Sequence, residues 1–359
     1  MPSLRPPSIS PVTIDANPAS SNGSAGDAPR LLTGPVPNLP WQDRPAGDTE
    51  PMWRYDANPV IDRRPFREAD RVFNSAVVAK DGAFVGVFRN DGRNGLPFLH
   101  VGRSADGLAW DFDPKPIVFT QPDGTTASGP ADYGYQYDPR VVEIDGRYFV
   151  IWCNDFHGPT LGMGYTDDFE TFHQLENAFV PYNRNGVLFP KKFGDDYVLL
   201  NRPSDSGHTP FGDIFLSRSQ DLVHWGRHRF VMGACGPGWW QNLKIGAGPA
   251  PIETTEGWLL FYHAVTKMCN GYVYSMGVAL LDRDEPDKVL MRGDGYVLQP
   301  ELPYETTGQT DNVVFPCAAL CDGPTGRMAV YYGGADTFTN VAFTTVDIIL
   351  DWLRENRIR

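Results

Sequence analysis

The stretch Asn74-Ser75-Ala76-Val77-Val78-Ala79-Lys80-Asp81-Gly82-Ala83-Phe84-Val85-Gly86-Val87-Phe88-Arg89-Asn90 decides the fold. An apolar strand runs into Asp81-Gly82, a two-residue hairpin turn, and a second apolar strand runs back out to a charged end. A third strand, Phe98–Ser104, then leads into Ser104-Ala105-Asp106-Gly107-Leu108-Ala109-Trp110. The phrase recurs four more times. Its second strands are Arg147–Asp155, Tyr197–Pro203, Trp258–Ala264 and Met328–Asp336, and its third strands lead into Asp168, Asp221, Asp284 and Asp347. From Asp106 onward the intervals are 62, 53, 63 and 63 residues. A period of about 60 residues with three or four short strands per copy predicts a β-propeller.

We therefore read an all-β chain: a five-bladed β-propeller over residues 49–347, a Pro/Ser/Gly-rich N-terminal arm over 1–48 and a short C-terminal helix over 348–359. The innermost strands beyond blade one are expected at Pro139–Ile144, Val187–Phe193, Gly248–Glu253 and Val313–Cys321. In the Ser-x-Asp-x-x-x-Trp turns the Asp is expected to cap and Trp110 and Trp225 to pack between blades. Ile348, Ile349, Trp352 and Leu353 recur at helical spacing. The helix should dock on the propeller rim or on a neighbouring subunit.

The 359 residues carry 44 acidic and 31 basic side chains, a net charge of −13, which disfavours nucleic acid and anionic membrane as partners. No apolar run of membrane-spanning length occurs, and the N-terminus lacks the apolar core of a secretory signal. Five cysteines without framework spacing read as reduced thiols of a cytoplasmic protein. A homo-oligomer is expected, with the arm and the C-terminal helix as subunit contacts.

In each blade the innermost strand and its neighbour are antiparallel. The start of one and the end of the other therefore share a face, around the central funnel where propellers bind ligands. The strand starts contribute Asn74 and Ser75, Asp138 and Arg140, Phe189 with Lys191 and Lys192, Lys244 to Gly248, and Asp311 with Asn312. The strand ends contribute Arg89, Asn154, Asp155, Arg202, His263 and Asp336, with Arg93 and Arg184 on adjoining loops. Cations gathered on one rim of an acidic protein make a site for a small dianion. A carboxyl beside such a pocket suits phosphorolysis of a glycoside. The carboxyl protonates the leaving oxygen, and phosphate arrives as a nucleophile that needs no activating base.

At these residues the chain resembles glycoside hydrolase family 130, the inverting β-mannoside phosphorylases, from about residue 50 to the C-terminus. The resemblance rests on Arg71-Val72-Phe73-Asn74-Ser75-Ala76, Tyr137-Asp138-Pro139-Arg140, Asn201-Arg202-Pro203, Lys244-Ile245-Gly246-Ala247-Gly248-Pro249, Tyr262-His263 and Tyr331-Tyr332-Gly333-Gly334-Ala335-Asp336. It implies Asp138 as the sole general acid, relaying its proton through the mannose 3-hydroxyl. It also implies phosphate held by Arg184, Arg202, Lys244 and His263 with Arg89 and Arg93 nearby, and mannose gripped by Asn74, Ser75 and Asp336. No metal or organic cofactor is implied, phosphate being a co-substrate. A bulkier residue is expected at Gly333 or Gly334.

Longer phrases, Asn183–Pro190, Arg202–Asp213 and Cys269–Ser275, resemble the branch acting on 4-O-β-D-mannosyl-D-glucose. On that reading the loop Ser204–Gly212 walls the acceptor subsite, with His208 and Tyr274 as substrate contacts. Tyr133, Tyr135, Trp239 and Trp240 are open between sugar stacking and packing. The competing activities are phosphorolysis of β-1,4-mannobiose and mannooligosaccharides or of mannosyl-N-acetylglucosamine, hydrolysis by an inverting β-mannosidase, and sugar binding without catalysis.

Overall fold

The computed structural model describes residues 30–121, 123–127, 135–204, 212–234, 239–269 and 271–358. Five sheets stand around one axis as the blades of a propeller. Blade one is Ala69–Lys80, Ala83–Gly92, Pro97–Ser104 and Asp111–Phe112. Blade two is Tyr137–Ile144, Arg147–Asp155, Pro159–Thr166 and Phe172–Leu175, extended outward by two short strands from residues 119–127. Blade three is Asn183–Leu188, Tyr197–Pro203, Ile214–Ser219 and Gly226–Met232. In blade four both Lys244–Ala247 and Ile252–Thr254 pair with Gly257–Met268, followed by Gly271–Leu281 and Val289–Arg292. Blade five is Val314–Asp322, Arg327–Gly334 and Phe338–Thr345.

The outermost strand of blade five comes from the other end of the chain: Trp53 pairs with Phe343 and Arg54 with Ala342. This two-residue strand closes the ring, and no periodicity in so short a segment marks it. Residues 30–36 lie against the disc as well. Leu31 bridges to Thr254, and Val36 N donates to Asp322 Oδ1 at 2.8 Å.

Blade strands are covered on both faces by neighbouring blades, so they read as continuous apolar runs rather than alternating ones. Trp258 through Val265 is buried at every position. The apolar core is accordingly divided among the blade interfaces. Phe119 and Trp152 of blade two stack at 4.2 Å in a cluster shared with Val87 and Val101 of blade one, and Phe189 meets Trp258 edge-on at 5.1 Å between three and four.

The capping turns hold in three blades. Asp106 Oδ1 accepts from the amides of Leu108 and Ala109, both at 2.8 Å, and Asp168 and Asp221 repeat the arrangement. Trp110 packs between Phe88 of blade one and Tyr331 of blade five. In blade four the capping carboxylate is Asp282, which accepts from the amides of Asp284 and Glu285. In blade five Thr345 caps the C-terminal helix Val346–Glu355 by accepting from Ile348 N. The helix docks on the rim of its own propeller through Val346, Ile349, Leu350 and Leu353.

Two expected innermost strands are displaced. In blade three pairing begins at Asn183, so Arg184 and Asn185 are strand residues rather than a turn feeding it. In blade four Pro249 and Pro251 supply no amide hydrogen, and the strand breaks between Ala247 and Ile252. The expectation of bulk at Gly333 or Gly334 is also corrected. A Cβ at Gly333 would lie 2.0 Å from Asn74 Oδ1, and one at Gly334 would lie 2.5 Å from both Asn340 Nδ2 and the Tyr304 carbonyl.

Candidate active site

Three innermost strands carry the same irregularity at the funnel. The register of blade one shifts between Phe73 and Ser75, that of blade two between Tyr137 and Arg140, and that of blade three between Arg184 and Val187. Asn74, Asp138 and Asn185 occupy these bulges with φ of 51°, 51° and 53°. Asn and Asp tolerate this left-handed conformation better than other non-glycine residues, and a bulge re-aims the side chain it carries. The sequence places Asn or Asp at each position for that reason.

The result is a cavity of about 560 Å³ lined by Arg89, Tyr137, Asp138, Arg184, Asn185, Arg202, Ser204, Leu243, Lys244, His263, Tyr272, Tyr274, Phe315 and Asp336. All five blades contribute. Strand starts and strand ends meet as the antiparallel argument requires: Arg184 is the direct cross-strand partner of Arg202, and Gly246 of His263.

Asp138 Oδ1 accepts from Asn74 Nδ2 at 2.7 Å and from Arg89 Nη1 at 3.0 Å. Arg89 packs its guanidinium over the Phe73 ring at 4.3 Å. Burial opposes its charge, but Asp138 and then Asp91 hold it above the usual guanidinium range. Burial raises the Asp336 carboxyl above its ordinary value, with Arg89 pulling the other way.

Across the cavity the cations stand without carboxylate partners. Among the described residues no Asp or Glu lies within ion-pair distance of Arg184, Arg202 or Lys244. Arg184 Nε donates to the Tyr137 hydroxyl at 3.3 Å, and Arg202 Nε donates to Ser204 Oγ at 3.2 Å. Lys244 Nζ lies over the Tyr274 ring at 5.4 Å. Burial, then Arg202 and Arg184, bring the Lys244 ammonium down from 10.5 to about 8. Burial likewise lowers Arg202 and raises the Tyr274 phenol to about 12.

His263 is buried between these groups, its ring 4.4 Å from that of Phe315. Arg202 Nη1 donates to its Nε2 at 3.0 Å, which places the imidazole proton on Nδ1. Burial first, then Arg202, Arg140 and Lys244, push its titration well below the ordinary histidine range. It is a neutral imidazole, and its buried Nδ1 has no hydrogen-bond partner among the described residues. Gly246 makes room, since a Cβ there would lie 2.5 Å from the ring.

Of the residues singled out from sequence, Asp138, Arg89, Arg184, Arg202, Lys244, His263, Asp336 and Tyr274 line this cavity. Asn74 is buried behind Asp138, and Ser75 is buried with its hydroxyl unpartnered among the described residues. Arg93 is exposed on the turn after Ala83–Gly92 and is not among the lining residues. His208 and Tyr133 lie outside the described residues. Trp240 is a packing anchor, its indole nitrogen donating to the Asp294 carbonyl at 2.7 Å. Sequence reasoning missed Asn185, Phe315 and Tyr272. Asn185 was legible as the third Asn/Asp bulge. The other two carry no local signal.

The chain matches, over residues 35–355, the family described as beta-1,4-mannooligosaccharide phosphorylase. It belongs to glycoside hydrolase family 130, a family of glycoside phosphorylases. Among its relatives, the Beta-1,4-mannooligosaccharide phosphorylase of Ruminococcus albus is 52% identical over 325 residues, 89% of this chain and 96% of that one. The 4-O-beta-D-mannosyl-D-glucose phosphorylase of Bacteroides fragilis is 26% identical over 86% of this chain and 82% of that one. The crystal structure of Beta-1,2-Mannobiose phosphorylase from Listeria innocua in complex with beta-1,2-mannobiose superposes with a TM-score of 0.74. It is 26% identical, with 85% of this chain and 99% of that chain covered.

Proposed function

We propose that this enzyme catalyses inverting phosphorolysis of β-1,4-linked mannooligosaccharides, giving α-mannose 1-phosphate and a chain one residue shorter. The observation that carries the reading is the cluster of Arg184, Arg202 and Lys244, without carboxylate partners, in the same cavity as Asp138. Such a cluster is a poor resting state for a protein and a good receptor for a phosphate dianion.

Phosphate, gripped by these cations with His263 behind Arg202, attacks the anomeric carbon. The bond to the leaving oxygen breaks on the opposite face, which inverts the centre from β to α. Asp138 supplies the proton that the leaving oxygen needs, by way of the mannose 3-hydroxyl on the family resemblance. An inverting hydrolase would need a carboxylate placed to activate water and would have no use for the cations. Asp336, the other lining carboxyl, interacts with Arg89 on the Asp138 side and fits a role in holding the mannosyl unit.

For the acceptor, the 52% identity to the mannooligosaccharide enzyme favours mannose and its 4-linked oligomers. The mannosyl-glucose relative is 26% identical, so glucose stands as the competitor. The test is incubation of the purified enzyme with β-1,4-mannobiose, with and without phosphate. Phosphate-dependent α-mannose 1-phosphate, seen by ³¹P NMR, is expected. Release of free mannose from both rings without phosphate would reject the reading. Synthesis from mannose 1-phosphate with mannose, mannobiose, glucose and N-acetylglucosamine should rank the mannose-based acceptors first. Asp138→Asn should abolish turnover with mannobiose binding retained.

A further inference from the structure

We propose that Asp91, which does not line the cavity, is a positioning residue for the proton transfer from Asp138; this rests on the role given to Asp138 above. Asp91 is buried at the end of the second strand of blade one. It takes Arg89 as a two-point fork, with Nε to Oδ1 at 2.8 Å and Nη2 to Oδ2 at 3.2 Å. Such a pair fixes the guanidinium plane as well as its position. The edge left over is Nη1, and it donates to Asp138 Oδ1 at 3.0 Å. The flat faces are held too, by Phe73 at 4.3 Å and Tyr137 at 5.4 Å.

The consequence lies at Asp138. Its Oδ1 is occupied by two donors, Arg89 and Asn74. The transferable proton therefore belongs on Oδ2, and Asp91 fixes which oxygen that is. Behind Asp91 stands a further cation, Arg71, whose Nη2 is 3.4 Å from Asp91 Oδ2. Arg71 Nη1 is anchored by Gln309 Oε1 at 2.5 Å and lies 3.6 Å from Asp70. Arg71, Asp91, Arg89 and Asp138 thus form a row of alternating charge from blade one into blade two. Asp336 of blade five also feels Asp91, through repulsion. His100 on the third strand is engaged by Asn90 and the Asp113 carbonyl instead.

The row has a sign that can be tested. Neutralising Asp91 leaves more positive charge around Asp138, which favours its ionised form and shortens the pH range in which it can donate. Neutralising Arg71 does the reverse. The experiment measures kcat for β-1,4-mannobiose against pH, at saturating phosphate, in Asp91→Asn and Arg71→Gln. For Asp91→Asn, kcat is expected to fall about tenfold at neutral pH, with the alkaline limb moved about one pH unit lower and KM for phosphate within about twofold of wild type. For Arg71→Gln the limb is expected to move upward, and this variant decides alone if Asp91→Asn does not fold. Limbs unmoved, or moved the same way in both variants, would overturn the proposal, because a merely structural role leaves the profile in place. Asp138→Asn at wild-type turnover would overturn it together with the parent reading.

Discussion

Replacing Lys244 with Met should make the unliganded enzyme more stable while disabling it. The ammonium is largely buried, faces Arg202 and Arg184, and has no carboxylate partner among the described residues. Its descent from 10.5 to about 8 measures the free energy by which that setting disfavours the charge. At 1.36 kcal/mol per pH unit this is about 3 kcal/mol, discounted to about 1–3 kcal/mol because the group keeps some contact with solvent. Met keeps the length and apolar stem and removes the charge. For 359 residues the unfolding entropy is large enough that each kcal/mol moves Tm by only about 1 °C, so Tm should rise by about 1–4 °C. Phosphate should shrink or reverse the difference. At a hundredfold excess over Kd a ligand stabilises the native state by about 2.7 kcal/mol, and the variant should lose most of that gain. Differential scanning calorimetry of both proteins, with and without phosphate, gives all four values. A variant less stable than wild type without phosphate, or one that keeps the phosphate-induced rise, would refute the reasoning.

The same lysine sets a pH dependence. Its cation is present below about 8 and lost above, so KM for phosphate should rise above that pH, and this rise should vanish in Lys244→Met. Gly333→Ala puts a Cβ onto Asn74 Oδ1 and should break the Asn74–Asp138 hydrogen bond. We expect turnover to drop about tenfold or more and stability to fall by about 1–3 kcal/mol, read by mannobiose phosphorolysis and urea denaturation. Arg140 is buried, with no carboxylate at ion-pair distance among the described residues. Its Nε donates to the Gly248 carbonyl at 2.6 Å and its Nη1 to the Pro139 carbonyl at 2.9 Å. Arg140→Met should orphan those carbonyls and cost about 2–4 kcal/mol in the same denaturation assay.

The hairpin at Asp81-Gly82 and its four echoes sufficed to count the blades, because strand pattern and turn chemistry are local and repeat at a fixed period. Local chemistry also placed the Asp caps of blades one and three, where Ser-x-Asp-x-x-x-Trp marks the turn, and it left blade four open, where Asp282 and Asp284 are equally suitable by type and only the chain path chooses. The ring closure by Trp53 and Arg54 was invisible, since a strand of two residues has no period to read.

For the site, the sequence pointed to Arg89, Asp138, Arg202, Lys244, His263 and Asp336 at the funnel, because antiparallel pairing sends the starts of inner strands and the ends of second strands to one face, but it added Arg93 and missed Asn185, Phe315 and Tyr272. It did not determine their orientation. That was decided by the bulges at Asn74, Asp138 and Asn185, by the room left at Gly246 and Gly333, and by the buried fork of Asp91 on Arg89. Each of these depends on distances between segments far apart in the chain. A linear sequence shows the residue that makes a close approach possible, and only the folded chain shows what approaches it.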